Sequence, residues 1–221
     1  MGLFIIEGID GSGKSTQVEM LEQRLREDGY NTLKLKFPNY DDRSSGPIKM
    51  YLEGELGSDP DEINPYAASS FYAVDRFVSY KKSWENDYKS GTCIISDRYV
   101  VSNIIHQSSK IQKDKRKEFF EWLYDFEYGK MGIPIPDLTF YLDVPPEISI
   151  KYVESRNNGN ESKKDIHEKD MEYLKRCYEA GLSSCDYLHI QKIECVRNGK
   201  LRPKEEINDI LYYEIKKVLS E

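Results

Sequence analysis

Cysteine is scarce and scattered in this chain. Its four copies, Cys93, Cys177, Cys185 and Cys195, form no C-x-x-C pair and no cluster with the three histidines. Neither a disulfide framework nor a structural zinc site is indicated, and a reducing, cytoplasmic setting is the simplest expectation. Basic charge is short as well: 32 Lys and Arg face 39 Asp and Glu, leaving a net charge of −7. A general nucleic-acid binder would carry a basic excess, so a nucleic-acid polymer is not the expected partner, although an acidic protein can still hold a local basic pocket for phosphates. No apolar run is long enough to span a bilayer, so no membrane partner is expected. The stretch Met1 to Glu7 lacks a basic n-region and runs straight into a glycine loop, which reads as a core strand and not as a signal peptide. Repeats, low-complexity segments and interdomain linkers are also absent from the sequence.

What remains suits one α/β domain over residues 1–221, with 38% hydrophobic residues for a core and 32% charged residues for a surface. Short apolar runs at Leu3–Ile6, Thr32–Phe37, Thr92–Ser96, Leu138–Leu142 and Tyr187–Val196 read as strands. Between them, helical spacing marks Lys14–Asp28, a short helix around Ile48–Leu52, one long helix from Pro65 to Tyr88, Val100–Ser109, Lys115–Tyr128, a helix from Pro145 to about Glu154, and Asp170–Ala180. Pro203–Leu219 closes the chain as an amphipathic helix. Strands alternating with helices imply a parallel sheet covered on both faces. The polar stretch Asn157–Lys164 has no apolar period and reads as a mobile surface loop.

Gly8-Ile9-Asp10-Gly11-Ser12-Gly13-Lys14-Ser15, followed by Thr16, fits the phosphate-loop pattern G-x-x-x-x-G-K-[ST] in full. Glycines let the backbone turn tightly and aim successive N–H groups at phosphate oxygens, and the following helix adds the positive end of its dipole. Lys14 is expected to reach the β- and γ-phosphates of ATP, and Ser15 to offer its hydroxyl to Mg²⁺. The loop lies between an apolar strand and an amphipathic helix, the context the pattern requires.

Asp97-Arg98-Tyr99 ends the third strand, and ligands of open α/β sheets bind beyond the carboxyl ends of strands. Asp97 could organise Mg²⁺ while Arg98 clamps a phosphate with two parallel N–H bonds. The plainer alternative is an ion pair capping a helix. Arg76 follows Phe71-Tyr72 on the long helix, where an aromatic face and a cation could meet a base. At least one of Phe71 and Tyr72 must be core, since adjacent helical residues face different ways.

Taken together, the loop with its inner Asp10, Phe37-Pro38, Tyr72 with Arg76, Asp97-Arg98-Tyr99 with Ser102-Asn103, and Pro136-Asp137-Leu138-Thr139 leading to Leu142-Asp143-Val144 resemble the thymidylate kinase family of P-loop nucleoside monophosphate kinases. The resemblance covers about residues 3 to 180. It implies a P-loop NTPase-type three-layer fold with a five-stranded parallel sheet, a mobile lid at about residues 157–167, and a homodimer. It also implies phosphorylation of dTMP to dTDP by ATP with Mg²⁺. By position, Tyr72 would stack on thymine, Arg76 would bond its O4 edge, and Asn103 with Gln107 would read the N3 side. Arg98, beside Tyr99, would hold the acceptor phosphate, and Asp10 would approach the sugar 3′-hydroxyl or the magnesium shell.

The sequence departs from the family pattern in four places. Tyr40 stands two residues past Phe37-Pro38, where relatives often carry an arginine, with Arg43 nearby. His106 replaces an aromatic residue that closes on the 2′ side of the sugar. Ile166 occupies the usual arginine position after the lid, and Gly11 leaves the phosphate loop without one. Arg156, with Lys163 or Lys164, is then the candidate cation for the donor phosphates; a solvated lysine pair is the alternative. Another nucleotide or deoxynucleoside kinase, and a non-catalytic nucleotide switch, are the competing readings.

Overall fold

The computed structural model describes residues 2–57, 59–156 and 171–220. Its centre is a five-stranded sheet in the order β2-β3-β1-β4-β5, with every neighbouring pair parallel. The strands are β1 (Gly2–Glu7), β2 (Thr32–Lys36), β3 (Cys93–Asp97), β4 (Leu138–Asp143) and β5 (Gln191–Glu194). All six residues of β1 are buried, as a central parallel strand requires. The two-residue side-chain period divides them between the layers. Phe4 and Ile6 pack with Val18, Leu21 and Leu211, whereas Leu3 and Ile5 pack with Ile104, Phe119 and Leu123. Each such side chain, taken fully out of water, contributes about 1.5–3 kcal/mol.

The first layer consists of α1 (Lys14–Glu27) against α9 (Lys204–Leu219). Buried Asn208 joins them: its amide donates to Gln17 Oε1 at 3.0 Å, and its own Oδ1 accepts from Arg24 at 3.0 Å. On the other face lie α3 (Pro65–Ser79), α5 (Val100–Gln107) and α6 (Arg116–Tyr124), with the short α2 (Gly46–Leu52) ahead of α3. The helix expected to run unbroken from Pro65 to Tyr88 is interrupted by a π-helical turn at Tyr80–Trp84 before the short α4 (Glu85–Lys89). A second π turn, Asp125–Lys130, continues α6. Such turns insert a residue into the helical repeat and rotate the side chains that follow.

After β4 come α7 (Pro146–Arg156) and α8 (Met171–Leu188). The last strand is shorter than expected. Tyr187 and Leu188 extend α8, Leu188 packing against the cluster that holds Tyr141, Val101 and Ile105 and Tyr187 lying against Phe120, and the sheet resumes only at Gln191. A small antiparallel ribbon, β6 (Val196–Arg197) with β7 (Lys200–Leu201), leads into α9. Among the described residues, no helix is long and apolar enough to cross a membrane. The expected lid, with Lys163, Lys164 and Ile166, and the side chain of Arg156 lie outside the described residues.

Candidate active site

Strand register decides where the chemistry gathers. Ile6 of β1 lies beside Asp97 of β3 and Phe140 of β4, so the loops following the three strands open at one edge of the sheet. There they border a cleft of about 530 Å³, within the usual range for a small-molecule site.

The phosphate loop forms one wall. Gly8, Gly11 and Gly13 all have positive φ, 148°, 78° and 90°. A Cβ on Gly11 would stand 2.4 Å from the Ser149 carbonyl oxygen of α7, which leaves no room for any side chain, arginine included, in this loop conformation. Left-handed Gly13 opens α1 without a side-chain cap, so first-turn N–H groups remain for an anion. Asp10, Gly11, Gly13, Lys14, Ser15 and Thr16 border the cleft. Behind them, Ile9 is core, Ser12 is buried, and the Gly8 and Ile9 carbonyls accept Lys14 Nζ at 3.0 and 2.7 Å. Burial, reinforced by Arg98, lowers the Lys14 pKa to about 8 against the pull of Asp10, Asp97 and Glu7.

Asp97 tests the fit of a metal. Its Oδ2 accepts the Ser15 hydroxyl at 2.5 Å, while its buried Oδ1 has no hydrogen-bond partner. A carboxylate oxygen and a hydroxyl beside a phosphate loop are hard donors that suit Mg²⁺, which typically takes one or two carboxylates together with substrate phosphates. Among the described residues, no group of three or more His, Cys, Asp or Glu could hold a metal by itself.

Arg98 follows, with a left-handed backbone at φ 73°. Burial works against its charge, but Asp10, Asp97 and Glu7 outweigh that and raise its pKa. Its guanidinium pairs with Asp10, lies 3.2 Å from His106 Nε2 and reaches Ser102 Oγ at 3.4 Å. The left-handed turn is anchored by Glu7, a residue the motif reading passed over. The Glu7 carboxylate accepts Tyr99 N–H at 2.7 Å, Ser102 N–H at 3.0 Å and the Ser102 hydroxyl at 2.6 Å, capping the start of α5. Burial raises its pKa, opposed by Ser102 and Arg98.

The far wall comes from α3 and α5. Tyr72 borders the cleft and Phe71 is not among its lining residues; both are half-buried, and neither belongs to the buried core expected of at least one of them. Arg76, only 2% exposed, meets Glu127 through two parallel bonds of 2.6 Å, Nε to Oε2 and Nη2 to Oε1, and donates a third to the Tyr99 carbonyl at 3.2 Å. Glu127 outweighs burial in raising the Arg76 pKa. Buried Asn103 donates its amide to the Ser69 carbonyl at 3.1 Å and to Glu127 at 3.3 Å. Gln107 is fully buried, borders the cleft, and has no hydrogen-bond partner at either end of its amide. Tyr99 borders the cleft, but its ring goes into the core and its hydroxyl donates to the Pro134 carbonyl at 3.1 Å. His106 borders the cleft between Arg98 and Cys177, whose Sγ is 3.7 Å from Nδ1.

The motif reading did not single out Lys36, Leu52 or Tyr152, which complete the lining, and Tyr40 joins them, whereas Arg43 is exposed to solvent. It also missed Asp75, which accepts Asn39 N–H at 2.8 Å and the Ser44 hydroxyl at 2.7 Å, tying the loop after β2 to α3. Glu7 alone had a visible signal, an acidic residue ending a fully apolar strand.

The family model for thymidylate kinase matches residues 6–198. Among curated relatives, the thymidylate kinase of Halothermothrix orenii is 34% identical over 164 residues, 72% of this chain and 73% of that protein. A probable thymidylate kinase of Pyrobaculum aerophilum is 32% identical over 159 residues, 72% of this chain and 73% of that one. The Mycobacterium tuberculosis thymidylate kinase is 28% identical over 176 residues, 79% of this chain and 81% of its own length. The matched span runs from the end of the phosphate-loop strand past the last sheet strand and includes both cleft walls, so the chain belongs to the thymidylate kinase family.

Proposed function

We propose that the protein transfers the γ-phosphoryl group of ATP to dTMP, giving dTDP and ADP, a step in making dTTP. The observation that carries this reading is the position of Arg98 in one cleft, between the phosphate loop and a wall of Tyr72, Arg76, Asn103 and Gln107. A phosphate clamp between a donor site and an aromatic, hydrogen-bonding wall is the order that a nucleoside monophosphate needs.

Gly8 to Thr16 hold the donor, with Lys14 exchanging its loop carbonyls for phosphate oxygens. Ser15 and Asp97 would hold Mg²⁺, which when bound supplies positive charge to the β- and γ-phosphates. Arg98 directs the acceptor phosphate: one of its oxygens bonds to the γ-phosphorus as the bond to the bridging oxygen breaks, its electron pair leaving with ADP. Positioning and neutralisation supply the rate, since this chemistry asks little covalent work of the protein. Tyr72 stacks on the base, Arg76, Asn103 and Gln107 read its edge, Asp10 and His106 face the sugar, and Tyr99 backs the wall. A cytoplasmic homodimer completes the reading.

The test is ADP release measured with each nucleoside monophosphate in turn. Release that requires dTMP and is strongest with it is the expected result. Strongest release with another acceptor would make the protein a different nucleotide kinase, and ATP binding without acceptor-dependent turnover would make it a binding module.

A further inference from the structure

Glu127 lies outside every motif in the sequence, yet it is fully buried behind the cleft wall and holds two of the groups that form that wall. The π turn Asp125–Lys130 puts it there, turning a carboxylate inward where α6 would otherwise continue. Its consequences follow from the donor and acceptor inventory. Arg76 has five N–H groups; Glu127 takes two and the Tyr99 carbonyl a third, leaving two for the cleft it borders. With a carboxylate bound in parallel, the guanidinium presents donors without net positive charge, which suits a neutral carbonyl better than a phosphate. Asn103 is fixed by the same carboxylate. A carboxylate and the Ser69 carbonyl can only accept, so the amide must turn its NH₂ toward them and leave its oxygen as the acceptor for the cleft.

We propose that Glu127 is a positioning residue that sets base choice, by holding Arg76 as a neutralised donor and Asn103 as an acceptor. The resulting pair complements a ring that offers a carbonyl beside an N–H, as thymine and uracil do. Cytosine, with an amino group beside an unprotonated nitrogen, presents the reverse pattern and meets donor against donor. This inference rests on the dTMP kinase reading and deepens it.

Two substitutions separate charge from shape. E127Q keeps the size of the side chain but adds two donors, so the Asn103 amide is free to reverse and Arg76 loses its counter-charge. E127D keeps an acceptor-only carboxylate but draws it back by one methylene. The expected result is that E127Q lowers the dTMP-to-dCMP ratio of kcat/KM by about tenfold or more with the KM for ATP unchanged. E127D should raise the KM for dTMP yet retain more of that ratio. A residue that merely fills space gives the opposite ranking, with E127Q near wild type and E127D worse, and that ranking overturns the proposal. Should E127Q fail to fold, E127D decides alone. A raised KM for dTMP with the ATP KM retained and a dTMP-to-dCMP ratio below wild type supports the role; a ratio equal to wild type overturns it. Wild-type protein lacking dTMP-dependent ADP release would instead defeat the underlying kinase reading, an outcome visible before either variant is made.

Discussion

Lys14 illustrates how one side chain carries both a structural cost and a function. The residue is 6% exposed and its ammonium is satisfied by two loop carbonyls, while burial and Arg98 lower its pKa to about 8. Burial disfavours a cation there, Asp10, Asp97 and Glu7 oppose that, and the two bonds of its ammonium stay within the phosphate loop. Lys14→Ala should therefore leave the circular dichroism spectrum unchanged and lower kcat by about a thousandfold, the magnitude associated with losing a charge-assisted contact to a transferring group in an enclosed site. A folded variant turning over within tenfold of wild type would remove Lys14 from the chemistry.

Between elements, the tightest constraint is the approach of the phosphate loop to α7. Gly11 combines φ 78° with a hypothetical Cβ 2.4 Å from the Ser149 carbonyl oxygen and 3.0 Å from Val153 Cγ2. Gly11→Ala must strain the left-handed backbone, at about 1–2 kcal/mol, and push the loop away from α7. For a chain of this size, that corresponds to a fall in Tm of about 2–8 °C, accompanied by weaker ATP binding. Differential scanning calorimetry with and without ATP measures both; an unshifted Tm would mean that the loop does not rest on α7. The same contact explains the missing loop arginine: at this packing, position 11 admits no side chain.

At the scale of the whole molecule, all four thiols are buried, and burial pushes Cys93, Cys177, Cys185 and Cys195 up to about 12. They belong to separate packing regions: Cys93 and Cys195 lie with α1 and α9, Cys177 and Cys185 on the buried side of α8. A thiol reagent at pH 8 should label none of them in the native protein and all four after denaturation, with labelling that follows unfolding. Rapid labelling of one thiol in the native state would expose an opening in its region. The thiols also set a direction for alkaline stability. Each folded thiol keeps its proton to about 12, whereas an unfolded one ionises near 9. Their contribution is fully present below pH 9 and is lost as pH rises toward 12. Urea melts between pH 8 and 11 should show stability falling across that window.

The sequence alone determined the phosphate loop and the alternation of strands and helices. These are local properties: glycine freedom, side-chain periodicity, and a strand followed by a turn and a helix. Asp97 and Arg98 were legible for the same reason, since they directly follow an apolar strand. Three things only the tertiary structure decided. Helix α8 runs on through Tyr187 and Leu188, where Leu188 packs against the cluster of Val101, Ile105 and Tyr141 and Tyr187 against Phe120, contacts that no local pattern encodes. Asp97 meets Ser15 across 82 residues of sequence through the register of β1 with β3. Glu127 reaches Arg76 across 51 residues through a π turn. A charged residue among aromatics reads as surface until a partner is brought to it, and that partner is supplied by packing, not by sequence spacing.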